Sequence, residues 1–189
     1  MSYMIFITGD NMNEVLKQFL YIVATCAVVV CILGLNCRWS WWNILSYIIS
    51  ISSIFFFIYE RWLWKKLPLG ITHTPVLPKE LKGKFTYRLS HMSQFQAKEA
   101  MMSIAQTLMS IRVVVKTDEM KSVSVSASIR KENGEYILYY IYRTDPKNQY
   151  IDTNPSKYGA VRIDLSQLPN LEGQYWTTHS KGDLEFSSL

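Results

Sequence analysis

Two aromatic clusters in the second half of the sequence hold the residue types best suited to ligand chemistry. Tyr136, Tyr140 and Tyr142 recur at even spacing, so on an extended strand they share one face, with Tyr139 and Arg143 on the other. Tyr175 and Trp176 are followed directly by Thr177, Thr178 and His179. Flat rings stack on planar heterocycles, hydroxyls donate to oxyanions, and an arginine or lysine neutralises a phosphate. Tyr140, Tyr142, Arg143, Tyr175 and Thr177 therefore form the candidate ligand-binding group, read as a nucleobase pocket. The same rings also fit a barrel core with an aromatic rim, and that reading stays open beside it.

No catalytic constellation accompanies these rings. The sequence has no HExxH, GxSxG, Walker loop or GxGxxG, and no cysteine after Cys37 to serve as a thiol nucleophile. His73, His91 and His179 are far apart, and isolated histidines in a β domain are more often structural than metal ligands. Asp118 and Glu119 fall in an expected turn and read as a solvated tip. The expectation is a non-enzymatic binding domain with no catalytic residue, metal site or cofactor.

The elements that position the rings are strands. From residue 83 onward the hydrophobic period is two. Val123, Val125, Ala127 and Ile129 alternate with Ser122, Ser124, Ser126 and Ser128; Arg112, Val114 and Lys116 with Ile111, Val113 and Val115; Ala160, Arg162 and Asp164 with Val161, Ile163 and Leu165. Turn pairs separate the runs at Asn133-Gly134, Asp145-Pro146, Asn154-Pro155, Pro169-Asn170 and Lys181-Gly182. Strands are expected near 83–91, 100–107, 108–117, 121–130, 135–143, 158–166, 171–179 and 182–188, with one helical turn around 94–100. Roughly eight sequential antiparallel strands suit a small closed β-barrel, whose interior holds side chains or one small ligand. A two-sheet sandwich accommodates the same alternation.

Ahead of this all-β region the sequence is of another kind. Residues 18–37 are 20 positions without a charge, and residues 39–59 are another 21. At a rise of 1.5 Å per residue each makes a helix of about 30 Å, the thickness of a bilayer's hydrocarbon core. Lys17 is offset by Asp10 and Glu14, and Gly34-Leu35-Asn36 before Cys37 does not fit a lipoprotein signal, so the first helix should persist in the mature protein. The expected organisation is a tail and two-helix transmembrane hairpin over 1–66 (helices near 15–37 and 39–62), a linker over 67–82 with Pro68, Gly70, Pro75 and Pro78, and the β domain over 83–189. Arg61, Lys65 and Lys66 after the second helix outweigh Arg38 in the loop, which places both termini and the β domain in the cytoplasm. Trp39, Trp41 and Trp42 would form the outer aromatic belt, and Tyr59, Trp62 and Trp64 the inner one. The absence of cysteine after Cys37 suits a reducing compartment.

The formal charge of +5 falls to +3 over residues 67–189, from 15 basic against 12 acidic side chains. That is too little for a nucleic-acid polymer, whereas the excess beside the helices suits anionic lipid headgroups. Within the helices, Ala24, Ala27, Cys31 and Gly34 lie at i, i+3, i+7 and i+10, and Asn43, Ser46, Ser50 and Ser53 repeat the spacing. Small residues on one stripe permit close helix approach in lipid, either within the hairpin or between protomers.

The order of parts resembles a known family. Two N-terminal helices and a Pro-containing linker precede Leu81-Lys82-Gly83-Lys84-Phe85, the stretch 106–115 and the Ser-rich strand 122–128. Tyr140-Ile141-Tyr142 then stands ahead of Pro146, followed by Gly159-Ala160 and Leu171-Glu172-Gly173-Gln174-Tyr175 before Gly182. This sequence is similar to the two-transmembrane β-barrel effectors of bacterial CBASS anti-phage defence. The resemblance implies a cytosolic barrel that binds a cyclic dinucleotide made during infection, homo-oligomerisation, and disruption of the inner membrane. The rival reading from another class is a membrane-tethered adaptor or structural protein whose β domain binds a protein or an apolar ligand.

Overall fold

A helix satisfies every backbone hydrogen bond within its own segment, which is why long apolar runs adopt it. In the computed structural model, which describes residues 9–66, 74–88, 96–178 and 180–188, the runs form α1 (Gly9–Asn36) and α2 (Trp41–Arg61). A 3₁₀ turn over Leu63–Lys66 follows. The reversal between the helices uses Arg38 at φ 54°, and the Trp39 amide donates to the Gly34 carbonyl at 2.9 Å. Only a narrow seam of the hairpin is covered. Val30 and Gly34 of α1 are buried there, with Ile44, Ser52 and Tyr59 of α2. Phe19 meets Phe56 edge to face at 5.0 Å, and the Tyr59 hydroxyl donates to Gln18 Oε1 at 2.9 Å. Both helices are long and apolar enough to cross a membrane, and just 17% and 11% of their most apolar windows are buried. A soluble core helix would be mostly covered; these present their apolar surface outward.

The two small-residue stripes separate in this hairpin. Gly34 is the contact point, because a Cβ there would lie 2.7 Å from Ile44 Cγ1. Ala27 and Cys31 are half-buried and Ala24 is exposed. Asn43, Ser46, Ser50 and Ser53 all face away from α1. Ser52, outside the stripe, is the small residue that α2 buries at the seam.

The second unit is the β domain, entered at Thr74. Its strands are β1 (Glu80–Arg88), β2 (Gln96–Gln106), β3 (Ile111–Lys116), β4 (Met120–Glu132), β5 (Glu135–Pro146), β6 (Tyr158–Asp164), β7 (Leu171–Thr177) and β8 (Lys181–Ser188). Each pairs antiparallel with the next, and β1 pairs with β8, so the sheet closes into a barrel and the sandwich alternative is excluded. β1 begins at Glu80, ahead of Gly83, because Glu80 to Lys82 already pair with β2. The expected helical turn gives way to strand from Gln96; residues 94 and 95 lie outside the described residues. So do His73, His91 and His179 and residues 67–73 of the expected 67–82 linker. The Asn133-Gly134 turn has φ 51° and 95° at its centre, the twist that a two-residue hairpin needs.

One expectation fails instructively. The unbroken Val/Ser alternation in β4 places Val123, Val125, Ala127 and Ile129 on one face, but the register slips between Ser124 and Ser126. The extra residue of this β-bulge inverts the parity. Ala127 and Ile129 point into the core, Val125 is 58% exposed, and Ser122 faces the interior.

The barrel's two ends consequently differ. Leu81, Met102, Leu138, Ile163, Leu171 and Leu184 fill the end where the chain enters, each no more than 1% exposed. There Gln106 clamps the incoming segment. Its Oε1 accepts from the Leu77 amide at 2.9 Å, and its Nε2 donates to the Pro75 carbonyl at 3.0 Å. Because this end is the packed core, Leu171→Ala should cost about 2–5 kcal/mol. Val125→Ala on the outer face should stay within about 0.5 kcal/mol. Denaturant unfolding of the detergent-solubilised chain, followed by near-ultraviolet circular dichroism, checks the contrast; equal losses would misplace the core.

Candidate ligand-binding site

At the other end the inward positions are not filled. A cavity of about 500 Å³ lies there, within the range of small-molecule sites. Its rim comes from the β3–β4 and β7–β8 turns and from the 147–157 connection. Strand parity aims Tyr140, Tyr142 and Thr144 of β5 inward. Register then sets Val161 between Tyr140 and Tyr175, and Gly159 between Tyr142 and Thr177. A Cβ at Gly159 would overlap the Tyr142 ring and its hydroxyl, so a side chain there requires the ring to shift. Tyr140 and Tyr142 have ring centroids 6.1 Å apart, and Phe85 braces Tyr175 edge to face at 5.4 Å.

Four of the five candidate residues, Tyr140, Tyr142, Tyr175 and Thr177, thus line one cavity. Arg143 does not. It stays on the outer face, where alternation puts it, and its guanidinium meets Asp145 at 3.1 Å. Tyr136 packs against the core instead, and Tyr139 donates outward to Glu132 at 3.0 Å. Trp176 is 44% exposed on the outside of β7.

The cavity's cationic groups are lysines that sequence reasoning missed, Lys98 and Lys157. Lys98 continues the inward parity of Ala100, Met102 and Ile104, so a lysine in line with a buried face was the available signal. Glu119 corrects the solvated-tip reading. Its Oε1 lies 2.5 Å from Lys98 Nζ, its Oε2 accepts from Asn154 Nδ2 at 3.3 Å, and it lines the cavity. The bond from Lys98 holds its carboxyl below the usual range, with Asn154 and Lys157 adding to the effect. Nothing local in the sequence marks that role, because both partners arrive from other loops and strands. Phe85, Tyr87, Tyr150 and Ser122 also belong to the missed part of the wall.

Burial pushes the Tyr142 hydroxyl up to about 12 and raises Tyr140 and Tyr175 as well. All three therefore remain neutral O–H donors at physiological pH. Phenol and alcohol donors, two lysines and stackable rings around an apolar floor of Val113, Val115 and Val161 suit a flat, phosphate-bearing ligand. Among the described residues no cluster of His, Cys, Asp and Glu has the arrangement to hold a metal ion.

A closed barrel with a ligand-sized cavity at one end follows two helices long and apolar enough to cross a membrane. Residues 77–187 match the family model described as "Cap15, cyclic dinucleotide receptor domain", and the chain belongs to that family. It is also 31% identical over 151 residues to CD-NTase-associated protein 15 of Staphylococcus schleiferi, covering 79% of this chain and 81% of the relative.

The Gly159–Tyr142 contact is measurable by itself. Gly159→Ala should cost about 1–3 kcal/mol through overpacking. Most of that cost should vanish in a Tyr142→Ala background, where the ring is gone. Unfolding free energies of the two single variants and the double variant test the coupling, and additive losses would place the ring elsewhere.

Proposed function

We propose that this chain is a CBASS effector in which the barrel binds a cyclic dinucleotide on the cytoplasmic side of the inner membrane. Binding drives association of the helices between protomers, and the assembly disrupts the bilayer. The observation that carries the reading is the tyrosine-lined cavity with Lys98 and Lys157 at its rim, in a barrel of the cyclic dinucleotide receptor family. Two bases stack on Tyr142 and Tyr175, hydroxyls such as Thr177 and Tyr140 donate to the ligand, and the lysines meet its two phosphates. Arg143, ion-paired outside, has no part in this assignment.

Calorimetry with a panel of cyclic dinucleotides tests it on the full chain in detergent, with folding checked by circular dichroism. One member should bind, and Tyr142→Ala or Tyr175→Ala should each cost about 1–3 kcal/mol of affinity. Absence of binding across the panel, or unchanged affinity in both variants, refutes the assignment.

The output resides in the helices. The Asn43, Ser46, Ser50 and Ser53 stripe faces away from α1, so it is open to a second protomer. Ser50→Leu keeps the helix apolar and leaves the barrel intact, whereas Gly34→Leu strikes the hairpin's own contact with Ile44. Ser50→Leu should bind ligand normally yet fail to oligomerise or depolarise vesicles. Full depolarisation by that variant would reduce the helices to a tether. Orientation is read separately by cysteine labelling in a chain with Cys37→Ser. A cysteine at position 40 should react with an impermeant reagent outside intact cells, and one at position 156 should not; the reverse pattern overturns the cytoplasmic placement.

A further inference from the structure

A site for a dianion ought not to contain a carboxylate, yet Glu119 sits in this one. Its Oε1 is 2.5 Å from Lys98 Nζ, and Lys98 is one of the two lysines lining the cavity. The carboxylate takes up one of that ammonium's three N–H donors and most of its charge, so an incoming phosphate oxygen has to compete with it. A phosphate and a carboxylate drawn to one ammonium group in a half-enclosed site repel each other, which weakens the hold on both. Protonation offers no escape, because Lys98 already holds the carboxyl below its ordinary value and a neutral Glu119 would require acid conditions.

The same residue holds the rim. Asn154 Nδ2 donates to Glu119 Oε2 at 3.3 Å, and the Lys147 amide donates to the Glu119 carbonyl at 2.9 Å. These two bonds join the β3–β4 turn to the 147–157 connection. Within it the Tyr150 amide donates to the Lys147 carbonyl and the Asn154 amide to the Tyr150 carbonyl. At its base Lys157 pairs with Thr144. Tyr150, Thr153 and Lys157 of this segment also line the cavity.

We infer that Glu119 is a built-in competitor for the phosphate position: in the empty barrel it neutralises Lys98 and pins the 147–157 segment, and a ligand phosphate takes Lys98 from it and releases that segment. The inference rests on the cyclic dinucleotide reading and adds its regulation. Occupancy is thereby converted into a change at the rim, and a ligand needs enough negative charge to displace an existing ion pair. Molecules that only stack on the tyrosines leave the latch closed.

The test uses the full chain in detergent and compares wild type with Glu119→Gln, which keeps the shape and removes the charge. Two probes are titrated: the tightest-binding cyclic dinucleotide of the panel, and inorganic pyrophosphate, which carries phosphate without bases. Glu119→Gln should bind both at least tenfold more tightly than wild type. Hydrogen exchange gives the second reading. Adding the cyclic dinucleotide to wild type should speed exchange several-fold across 147–157, and in Glu119→Ala, which has no side-chain acceptor for Asn154, exchange there should be fast before any ligand is added. Equal or weaker pyrophosphate binding by Glu119→Gln overturns the inference, as does slower exchange of 147–157 on ligand binding to wild type. If no cyclic dinucleotide binds but pyrophosphate still prefers Glu119→Gln, the competitor role stands and the ligand reading falls instead.

Discussion

Closure of the sheet through β1 and β8 is the constraint on which the rest of the receptor depends. Eight consecutive register pairs join them, from Leu81 opposite Ser188 to Arg88 opposite Lys181. An open sheet would leave two rows of unpaired amides and carbonyls exposed to any passing strand; a closed one leaves none. Closure also fixes which side of every residue is inside. A slip of one residue in any strand would turn its whole apolar set outward, so the register that seals the barrel is the register that builds the pocket.

With the wall fixed, function is graded along the barrel axis. At the chain-entry end the inward positions are bulky aliphatics packed without room, and they supply the stability. Toward the other end the inward positions become tyrosine, threonine, serine and lysine, and the interior opens. The bulge in β4 marks the changeover, since Ile129 and Ala127 face inward on one side of it and Ser122 on the other. Polar groups that would be costly in a closed core are tolerated at a mouth that water or a ligand can reach. The helices divide similarly: one face of each makes the seam, and the remainder is left apolar for a membrane.

Much of the architecture was legible in the sequence, for identifiable reasons. Charge-free runs of 20 and 21 residues have few readings other than bilayer-length helices. Period-two alternation broken by turn pairs gave the strand order, and the even spacing of Tyr140 and Tyr142 gave their common face. What failed was whatever depends on one residue more or less, or on distant partners. The β4 bulge is invisible in a Val/Ser alternation that continues unbroken through it. Arg143 has the charge a phosphate needs, but its parity puts it outside, against Asp145. Lys98 and Glu119 are 21 positions apart, and the β2–β3 register, continued past Met101 opposite Lys116, brings them into contact. The family resemblance supplied what spacing could not, namely the ligand class.

Strand β2 has a mechanical consequence. It bears Lys98 at the cavity and, eight residues further on, Gln106, whose amide grips the backbone at Pro75 and Leu77. At about 3.4 Å per residue these points are roughly 27 Å apart along a single extended strand. Its pairing passes from β1, opposite residues 96–103, to β3, opposite residues 101–106, with both neighbours engaged at 101–103. One extended strand thus links the ammonium at the cavity to the grip on the incoming chain through backbone alone.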